Sequence, residues 1–250
     1  YGSKIKPRAI KMLHNNFHNK YLNSFARRQG RKLSNNKEFL LENKLSDYSI
    51  NLNNLESLYD YYQNKSLSLE IGFGMGDFLG NIAAHYPNHY FIGCEPYING
   101  VANLLEKIVA KKLNNIKIFS DDARLFLERL NNKINFEKIF ILFPDPWPKK
   151  RHLKRRIVQE QLLNMLARNM LQAAELIIVT DDKNYAQHIY NILNKHCAFD
   201  HDIGGNSSNN INSEKSMDIT NEWFQTKYYQ KTHLNKNIEY IRFYRNDFLL

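Results

Sequence analysis

Short apolar runs alternate with segments of helical periodicity from about residue 67 onward. Five of these runs are predicted strands, over residues 67–71, 90–94, 116–119, 138–143 and 176–180. The stretches between them, such as residues 101–111, are predicted helices. Strands that alternate with helices form βαβ units, so the pattern predicts an α/β fold with a doubly wound, mostly parallel sheet.

The last part of the chain carries a helical stripe, a polar stretch and two further apolar runs. The spacing predicts a helix over about 155–171, because apolar side chains recur at three- and four-residue steps: Val158, Leu162, Met165, Leu166 and Met170. Residues 204–217 are rich in Gly, Asn and Ser, which is typical of a loop. Residues 223–231 and 238–244 predict an antiparallel C-terminal strand pair.

Composition limits the number of domains and the class of partner. The chain has 250 residues, 43% of them hydrophobic, which suits one large α/β domain with extensions. The 35 Lys and Arg outnumber the 25 Asp and Glu, and the resulting charge of +10 favours a polyanionic partner. Residues 1–32 hold nine basic side chains and no acid. We therefore predict a basic N-terminal arm over 1–50, with a solvated tail as the alternative, and an α/β domain over 51–250.

Sequence signals of membrane and metal proteins are missing. No run approaches the roughly 18 apolar residues that span a bilayer, and no signal segment opens the sequence. Cys94 and Cys197 lie far apart without CxxC or Cys/His ligand spacing, which argues against a disulfide framework and a zinc site. The sequence predicts a soluble cytoplasmic protein with no metal and no membrane partner, as a monomer or homodimer.

Three glycines follow the first predicted strand. Gly72, Gly74 and Gly76 lie in Leu-Glu-Ile-Gly-Phe-Gly-Met-Gly with GxGxG spacing. The dinucleotide fingerprint GxGxxG requires glycine at position 77, which is Asp77, so a nicotinamide cofactor is disfavoured. A glycine turn that opens a helix lets backbone N–H groups approach a nucleoside cofactor, although such a turn can also serve packing alone.

Carboxylates follow the next two predicted strands. Glu95 ends the second strand, where an acid can accept hydrogen bonds from ribose hydroxyls; its alternative role is a helix cap before Pro96. Asp121 and Asp122 end the third strand, where one carboxylate could accept from an adenine amino group while the other caps a helix. Because the carboxyl ends of parallel strands meet at one edge, we expect these acids in one crevice.

The fourth predicted strand ends in Phe-Pro-Asp-Pro-Trp-Pro, followed by Lys-Lys-Arg-His-Leu-Lys-Arg-Arg at residues 149–156. The prolines stiffen the loop that presents Asp145 and Trp147. Six basic side chains in eight residues next to a cofactor crevice favour phosphate contacts, although a basic run can also be a solvated helix face.

Together these segments, with Thr180-Asp181 and residues 226–229, resemble the bacterial tRNA (guanine-N7-)-methyltransferase family. The resemblance covers about residues 22–246 and includes the basic segment 24–31. It implies a Rossmann-like S-adenosylmethionine methyltransferase fold and methyl transfer to N7 of a variable-loop guanine in tRNA.

The resemblance also implies roles for individual side chains. Cofactor contacts are expected from Glu70, Gly72, Gly74, Gly76, Glu95, Asp122 and Asp145. Substrate contacts are expected from Lys149, Asp181, Thr226, Lys227, Tyr228 and Tyr229. RNA contacts are expected from Lys150, Arg151, His152, Lys154 and Arg155. The chain departs from the family at Tyr229, where an acid is usual, and tyrosine cannot accept the paired N1 and N2 protons of guanine.

Asp145 is the predicted catalytic residue. N7 of guanine exposes a lone pair, so no strong base is needed, and positioning should dominate catalysis. A carboxylate can orient the base and stabilise the positive charge that develops on it. The alternatives are a methyltransferase of another RNA base or of a protein, and a non-catalytic RNA-binding relative.

Overall fold

Residues 25–201 and 238–248 are described by a computed structural model of the chain. They form a seven-stranded sheet with the order β3-β2-β1-β4-β5-β7-β6. The strands are β1 (Leu67–Ile71), β2 (Tyr90–Cys94), β3 (Ile116–Phe119), β4 (Phe136–Leu142), β5 (Met170–Thr180), β6 (Phe199–Asp200) and β7 (Glu239–Arg245). The first five strands are parallel, and β7 lies antiparallel between β5 and β6. The predicted doubly wound, mostly parallel α/β fold is confirmed.

Eight α-helices and one 3-10 helix surround the sheet in this part of the chain. The α-helices are α1 (Asn35–Asn43), α2 (Leu45–Tyr48), α3 (Glu56–Tyr62), α4 (Asp77–His85), α5 (Ile98–Lys111), α6 (Ala123–Leu130), α7 (Glu160–Arg168) and α8 (Lys183–Leu193). The 3-10 helix covers Lys150–Arg155, and we call it the basic turn.

Both faces of the sheet are covered by helices. One buried cluster joins β1 and β4 to side chains of α6, α7 and α8, such as Leu127, Leu163 and Ile189. The second cluster lies on the other face and includes side chains of α4 and α5, such as Ile82 and Leu105. β1 is buried along its whole length, as expected of a central parallel strand. The sheet is therefore a rigid support for the loops at its carboxyl edge.

Helices start at this edge with local signals. Asp122 is the N-cap of α6 and accepts a hydrogen bond from the Arg124 N–H at 3.0 Å. Asp182 is the N-cap of α8 and accepts from the Tyr185 N–H at 2.8 Å. These caps satisfy backbone donors that a helix leaves free in its first turn. Acidic residues after β3 and β5 thus fix where the chain turns back along the sheet.

The predicted helix over 155–171 was too long at both ends. α7 covers only Glu160–Arg168, and residues 150–155 form the basic turn instead. Asn169 is the C-cap of α7, and its side-chain amide donates to the Met165 carbonyl at 2.8 Å. β5 begins at the next residue, so its predicted start at residue 176 was six residues late. Apolar side chains continue at helical spacing from α7 to Met170, the first residue of β5, so the spacing does not show where the helix ends.

The remaining element predictions have mixed outcomes. Strands 67–71, 90–94 and 116–119 agree with β1, β2 and β3, and β4 begins and ends slightly earlier than predicted. Residues 238–244 correspond to β7, which pairs with β5 and β6. The predicted loop over 204–217 and strand over 223–231 lie outside the described residues.

The N-terminal segment from residue 25 contacts the sheet-bearing region. Leu40 and Leu45 belong to the buried cluster that contains α5. Ser49 forms an isolated parallel bridge with Ile118 on the edge strand β3. These contacts lie inside the predicted arm of residues 1–50. The division of the chain at residue 50 stays a prediction.

Candidate active site

A cavity of about 420 Å³ opens at the carboxyl edge of the parallel strands. This volume lies within the usual range of small-molecule sites. Its walls combine the predicted cofactor and RNA residues with the N-terminal segment, including Phe25, Gly72, Glu95, Asp122, Asp145 and Arg155. The expected convergence of the acids after β2 and β3 in one crevice is therefore observed for Glu95 and Asp122 but not for Asp121, and Asp145 lines the same cavity.

The glycine loop, residues 72–76, has a shape that requires glycine. Gly72, Gly74 and Gly76 have φ angles of 74°, 53° and 67°, in the left-handed region that side chains disfavour. A Cβ at Gly72 or Gly74 would meet no atom within 4 Å, so the space beside the loop is open. The loop leaves room for a ligand beside its backbone.

Helix α5 holds the glycine loop from outside. A Cβ at Gly100 would lie 2.1 Å from the Gly74 carbonyl oxygen, so the helix backbone approaches the loop directly. The Asn103 amide and the Lys107 ammonium donate to the Met75 carbonyl at 2.7 and 2.8 Å. These contacts were not predicted, because Gly100 lies just before the predicted helix over 101–111, whereas α5 begins at Ile98.

Glu95 lies between the glycine loop and α5. Its Oε2 accepts from the Gly74 N–H at 2.8 Å, and its Oε1 accepts from the Tyr97 N–H at 2.9 Å. Burial raises the pKa of Glu95 to about 7, the two backbone donors oppose that rise, and the charge of Asp145 adds to it. The predicted alternative role of a helix cap is not observed, because the N-cap of α5 is Tyr97 and no side chain caps this helix; the Glu95 carboxylate lines the cavity.

The two aspartates after β3 have separate partners. Asp122 forms a two-point ion pair with Arg124, with distances of 2.9 Å to Nε and 2.6 Å to Nη2. Asp121 accepts from the Arg28 guanidinium at 2.9 Å. Asp122 therefore caps α6, as one of the pair was expected to do, and it also lines the cavity. Its contact with a nucleoside stays a prediction.

Glu70 lies in the middle of the sheet and does not line the cavity. It is only 3% exposed, and its Oε2 has no hydrogen-bond partner. Burial raises its pKa well above the ordinary value, and the neighbouring acids Glu95 and Asp77 add to the rise. The cofactor contact expected of Glu70 therefore stays a prediction, while the open space beside the glycines leaves room for a ligand.

The proline loop, residues 143–148, follows β4. Phe143 and Trp147 have φ angles of 50° and 43°, which are unfavourable for residues with side chains. The Phe143 N–H donates to the Val179 carbonyl at 2.7 Å, which ties the loop to β5. Asp145 is exposed and lies on the cavity wall. Proline restriction was predicted for this loop, but its left-handed residues were not.

Arg156 supports the proline loop from inside the protein. Its Nε donates to the Pro146 carbonyl at 2.8 Å, and its guanidinium lies 4.6 Å from the centre of the Tyr185 ring. Only 5% of Arg156 is exposed. The sequence placed this side chain in a basic cluster without distinguishing it from its neighbours.

The basic turn divides into exposed and packed side chains. Lys150, Arg151 and Lys154 are exposed. Arg155 instead lies 5.0 Å from the Phe25 ring centre and 4.9 Å from that of Trp147. His152 contacts Trp147 edge-on, and its pKa is lowered by desolvation and by the neighbouring cations. Lys154 and Arg155 line the cavity, whereas Lys149, Lys150, Arg151 and His152 do not.

A strap formed by residues 25–31 crosses the cavity rim. The Gly30 N–H donates to Asn99 Oδ1 at 3.0 Å, and Asn99 Nδ2 donates to the Arg31 carbonyl at 2.7 Å. The Arg28 carbonyl accepts from the Ile98 N–H at 3.1 Å, and Arg27 lies over the Tyr97 ring. This part of the predicted arm is therefore bound to the start of α5.

The other predicted residues have different placements. Asp181 directly follows β5 at the same sheet edge but does not line the cavity. Thr226, Lys227, Tyr228 and Tyr229 lie outside the described residues, as do residues 1–24. Within residues 25–201 and 238–248, no group of His, Cys, Asp and Glu side chains could hold a metal ion. The same residues contain no helix long and apolar enough to cross a membrane.

Known methyltransferases resemble this chain over most of its length. A family model described as "Putative methyltransferase" matches residues 64–240. A tRNA (guanine-N(7)-)-methyltransferase of Neorickettsia sennetsu is 44% identical over 170 residues, which cover 68% of this chain and 74% of that protein. Another from Paramagnetospirillum magneticum is 34% identical over 213 residues, covering 83% of this chain and 86% of that protein. The aminoglycoside resistance methyltransferase NpmB1 superposes with a TM-score of 0.48 at 14% identity, covering 78% and 94% of the two chains.

The sequence relatives decide the assignment. Each shares more than 30% of its aligned residues with this chain over more than two thirds of its own length. The family model begins just before β1 and extends into β7, so it contains the glycine loop, the proline loop and the basic turn. The chain therefore belongs to the tRNA (guanine-N7-)-methyltransferase family.

Proposed function

We propose that this protein transfers a methyl group from S-adenosylmethionine to N7 of a guanine in tRNA. The observation that carries the proposal is one cavity lined by two chemically different sets of residues. Gly72 of the glycine loop belongs to the first set with Glu95, and the exposed Lys154 belongs to the second with Asp145. A nucleoside cofactor and an RNA base can therefore meet in this cavity.

Several residues of the cavity suit the cofactor. The open space beside Gly72 and Gly74 admits a ligand against the backbone. Glu95 and Asp122 are placed to accept from hydroxyl and amino groups of a nucleoside. S-adenosylmethionine supplies a methyl group on positively charged sulfur. The role of this protein is then to hold the acceptor base in line with that group and to keep the cavity dry.

Asp145 is the group that we assign to the base. Its carboxylate is exposed on the cavity wall and belongs to a loop whose conformation is restricted by flanking prolines. Guanine N7 is already nucleophilic, so the carboxylate need not remove a proton. It can accept a hydrogen bond from guanine and offset the positive charge that the base acquires on methylation.

The basic turn and the rings beside it suit the RNA. The exposed side chains Lys150, Arg151 and Lys154 can contact phosphates, which would bring the tRNA to the cavity. A target base held in tertiary structure must leave its stack to reach the cavity, and Trp147 offers a ring on which such a base can pack. The substrate roles of Lys149, Asp181 and residues 226–229 belong to this proposal as well.

Methylation of defined transcripts tests the proposed function. Purified protein is incubated with methyl-labelled cofactor and unmodified tRNA transcript, and the digested product is analysed for 7-methylguanosine. A matched transcript carries 7-deazaguanosine at the variable-loop target, which replaces only the acceptor nitrogen by a C–H group. We expect label in 7-methylguanosine from the first transcript and none from the second.

Two results would contradict the proposal. Equal labelling of both transcripts would place the methyl group elsewhere in the RNA. Cofactor binding without labelled RNA, measured by calorimetry on the same preparation, would indicate a binding protein or a different acceptor.

A further inference from the structure

Arg156 differs from the other basic residues of its run. Arg151 and Lys154 are exposed, whereas Arg156 is 5% exposed and lies at the inner boundary of the cavity. A buried guanidinium needs compensating partners, because burial of an unpaired charge is very costly. Its surroundings therefore show what it interacts with inside the protein.

The partners of Arg156 belong to two separate elements. Nε donates to the Pro146 carbonyl at 2.8 Å, so the peptide that follows Asp145 is held by a charge-assisted hydrogen bond. The guanidinium also lies 4.6 Å from the ring centre of Tyr185 in α8. A cation above an aromatic ring is stabilised further when both are shielded from water.

Tyr185 is a rigid support for this contact. It is fully buried, and its hydroxyl oxygen accepts from the Val158 N–H at 3.2 Å. Its backbone N–H is held by Asp182, the N-cap of α8. Arg156 thus connects the start of α8, which packs beside β5, to the loop that follows β4.

The proline loop needs support of this kind. Phe143 and Trp147 flank Asp145 in left-handed conformations, which persist only where surrounding contacts enforce them. The prolines at 144, 146 and 148 have no N–H, so the loop has fewer backbone donors with which to hold itself. The Pro146 carbonyl, one residue after Asp145, is held by the Arg156 side chain.

We propose that Arg156 is a positioning residue that, stacked on Tyr185, fixes the proline loop through the Pro146 carbonyl and so orients Asp145 towards the acceptor base. The inference rests on the proposed function and adds to it a residue that does not contact RNA. It separates Arg156 from Lys154, two positions earlier in the same basic run.

Two matched variants distinguish positioning from phosphate binding. Arg156→Met removes the donor and the charge but keeps an unbranched apolar stem, and Lys154→Met makes the corresponding change at an exposed site. Single-turnover methylation at saturating tRNA, tRNA Kd, its salt dependence and cofactor Kd are measured for both.

We expect Arg156→Met to lower the saturating single-turnover rate about 10- to 100-fold, since small misplacements of a reacting group have effects of this size. Its tRNA Kd and salt slope should stay close to wild type. Lys154→Met should instead weaken tRNA Kd and make the salt slope shallower. Arg156→Lys, which keeps a donor but not the planar fork, should fall between Arg156→Met and wild type, and it replaces Arg156→Met if that variant does not fold.

A readout without substrate separates this inference from the proposed function. In a Trp223→Phe background Trp147 is the only tryptophan, and its acrylamide quenching reports exposure of the proline loop. We expect stronger quenching in Arg156→Met and unchanged quenching in Lys154→Met, whichever base the enzyme methylates. Unchanged quenching together with a normal saturating rate in Arg156→Met would overturn the positioning role, and a loss confined to tRNA Kd and salt slope would make Arg156 a phosphate contact.

Discussion

The glycine loop and the proline loop both contribute to the same cavity, but their backbone conformations are stabilised in different ways. Both contain left-handed residues, but in the glycine loop these are glycines, for which the conformation is cheap. In the proline loop they are Phe143 and Trp147, for which it costs about 1–2 kcal/mol each. The first loop therefore has a shape that its own residues allow, and the second has a shape that its surroundings impose.

The two loops also differ in the role that we assign to them, cofactor binding for the glycine loop and methyl transfer for the proline loop. The glycine loop is held by α5 through Asn103 and Lys107 and leaves open space for a cofactor. The proline loop is held by β5 and Arg156 and presents an exposed carboxylate. We infer that changes near the glycine loop affect cofactor affinity, whereas changes in the proline loop affect the methyl-transfer rate.

The largest effect is expected from Asp145→Ala. Loss of a carboxylate that stabilises developing charge should lower the saturating single-turnover rate about 10²- to 10³-fold. Cofactor Kd should change little, because Asp145 supports the base more than the nucleoside. Rapid-quench methylation and calorimetry measure the two quantities. A wild-type rate would remove Asp145 from the mechanism, and a rate loss matched by an equal loss of cofactor affinity would erase the contrast between the loops.

Glu95→Gln should alter the pH dependence of stability of the cofactor-free protein. The pKa of Glu95 is raised from its ordinary value of 4.5 to about 7, so folding favours the protonated form. Its contribution to stability is complete below about pH 4.5 and is lost as pH rises through about 7. The variant should remove about 2–3 kcal/mol of the decline in unfolding free energy between about pH 5 and about pH 8.

Urea unfolding at the two pH values measures this change. Part of the decline should remain, because Glu70 also has a raised pKa and is unchanged in the variant. Glu106→Gln, at a partly exposed ion pair with Lys37, is the control and should leave the decline as in wild type. An identical decline in Glu95→Gln and wild type would show that Glu95 does not titrate in this range.

Gly100→Ala tests the support of the glycine loop. The new Cβ would meet the Gly74 carbonyl oxygen at 2.1 Å, so loop or helix must move, at a cost of about 1–3 kcal/mol of unfolding free energy. Cofactor affinity should fall with it. Gly80→Ala is the matched control in α4, because the nearest atom to its Cβ would be the flexible Lys107 side chain at 3.3 Å and no backbone atom is close. Equal denaturation curves for the two variants would contradict a direct backbone contact.

Asp121→Asn should have the smallest effect. It keeps an oxygen that can accept from the Asp122 N–H but removes the charge that pairs with Arg28 in the strap. A partly exposed ion pair contributes about 0–1 kcal/mol, so cofactor Kd should rise less than about fivefold. The rise should vanish in high salt, as measured by titration. A larger effect that salt does not reduce would mean that the strap is held mainly through Asp121.

The fold and the glycine turn after β1 were predictable because their signals are local. β1, β2 and β3 are apolar runs bounded by turns. The GxGxG spacing of residues 72–76 predicts a tight turn, and all three glycines adopt left-handed φ angles there. The boundary between α7 and β5 was not predictable, because the apolar stripe runs through it and only one polar residue, the C-cap Asn169, stands between the two elements.

The contacts that support the two loops could not be predicted from the sequence, for a different reason. Arg156 and Lys154 look alike in a basic run, and only the packing of Tyr185 beneath the first makes one internal and the other exposed. Likewise, only the structure shows that Gly100 lets the helix backbone approach the Gly74 carbonyl. Such roles depend on residues distant in sequence, which a single chain does not reveal.

The strap also determines where the residues before it are attached. Because Phe25 lies on the cavity wall, the residues before it are covalently joined to the protein at this site. They include Lys4, Lys6, Arg8, Lys11 and Lys20 and no acid. A phosphate group bound by any of these side chains would be joined through the chain to the cavity wall, so its effective concentration at the site would exceed that in bulk solution.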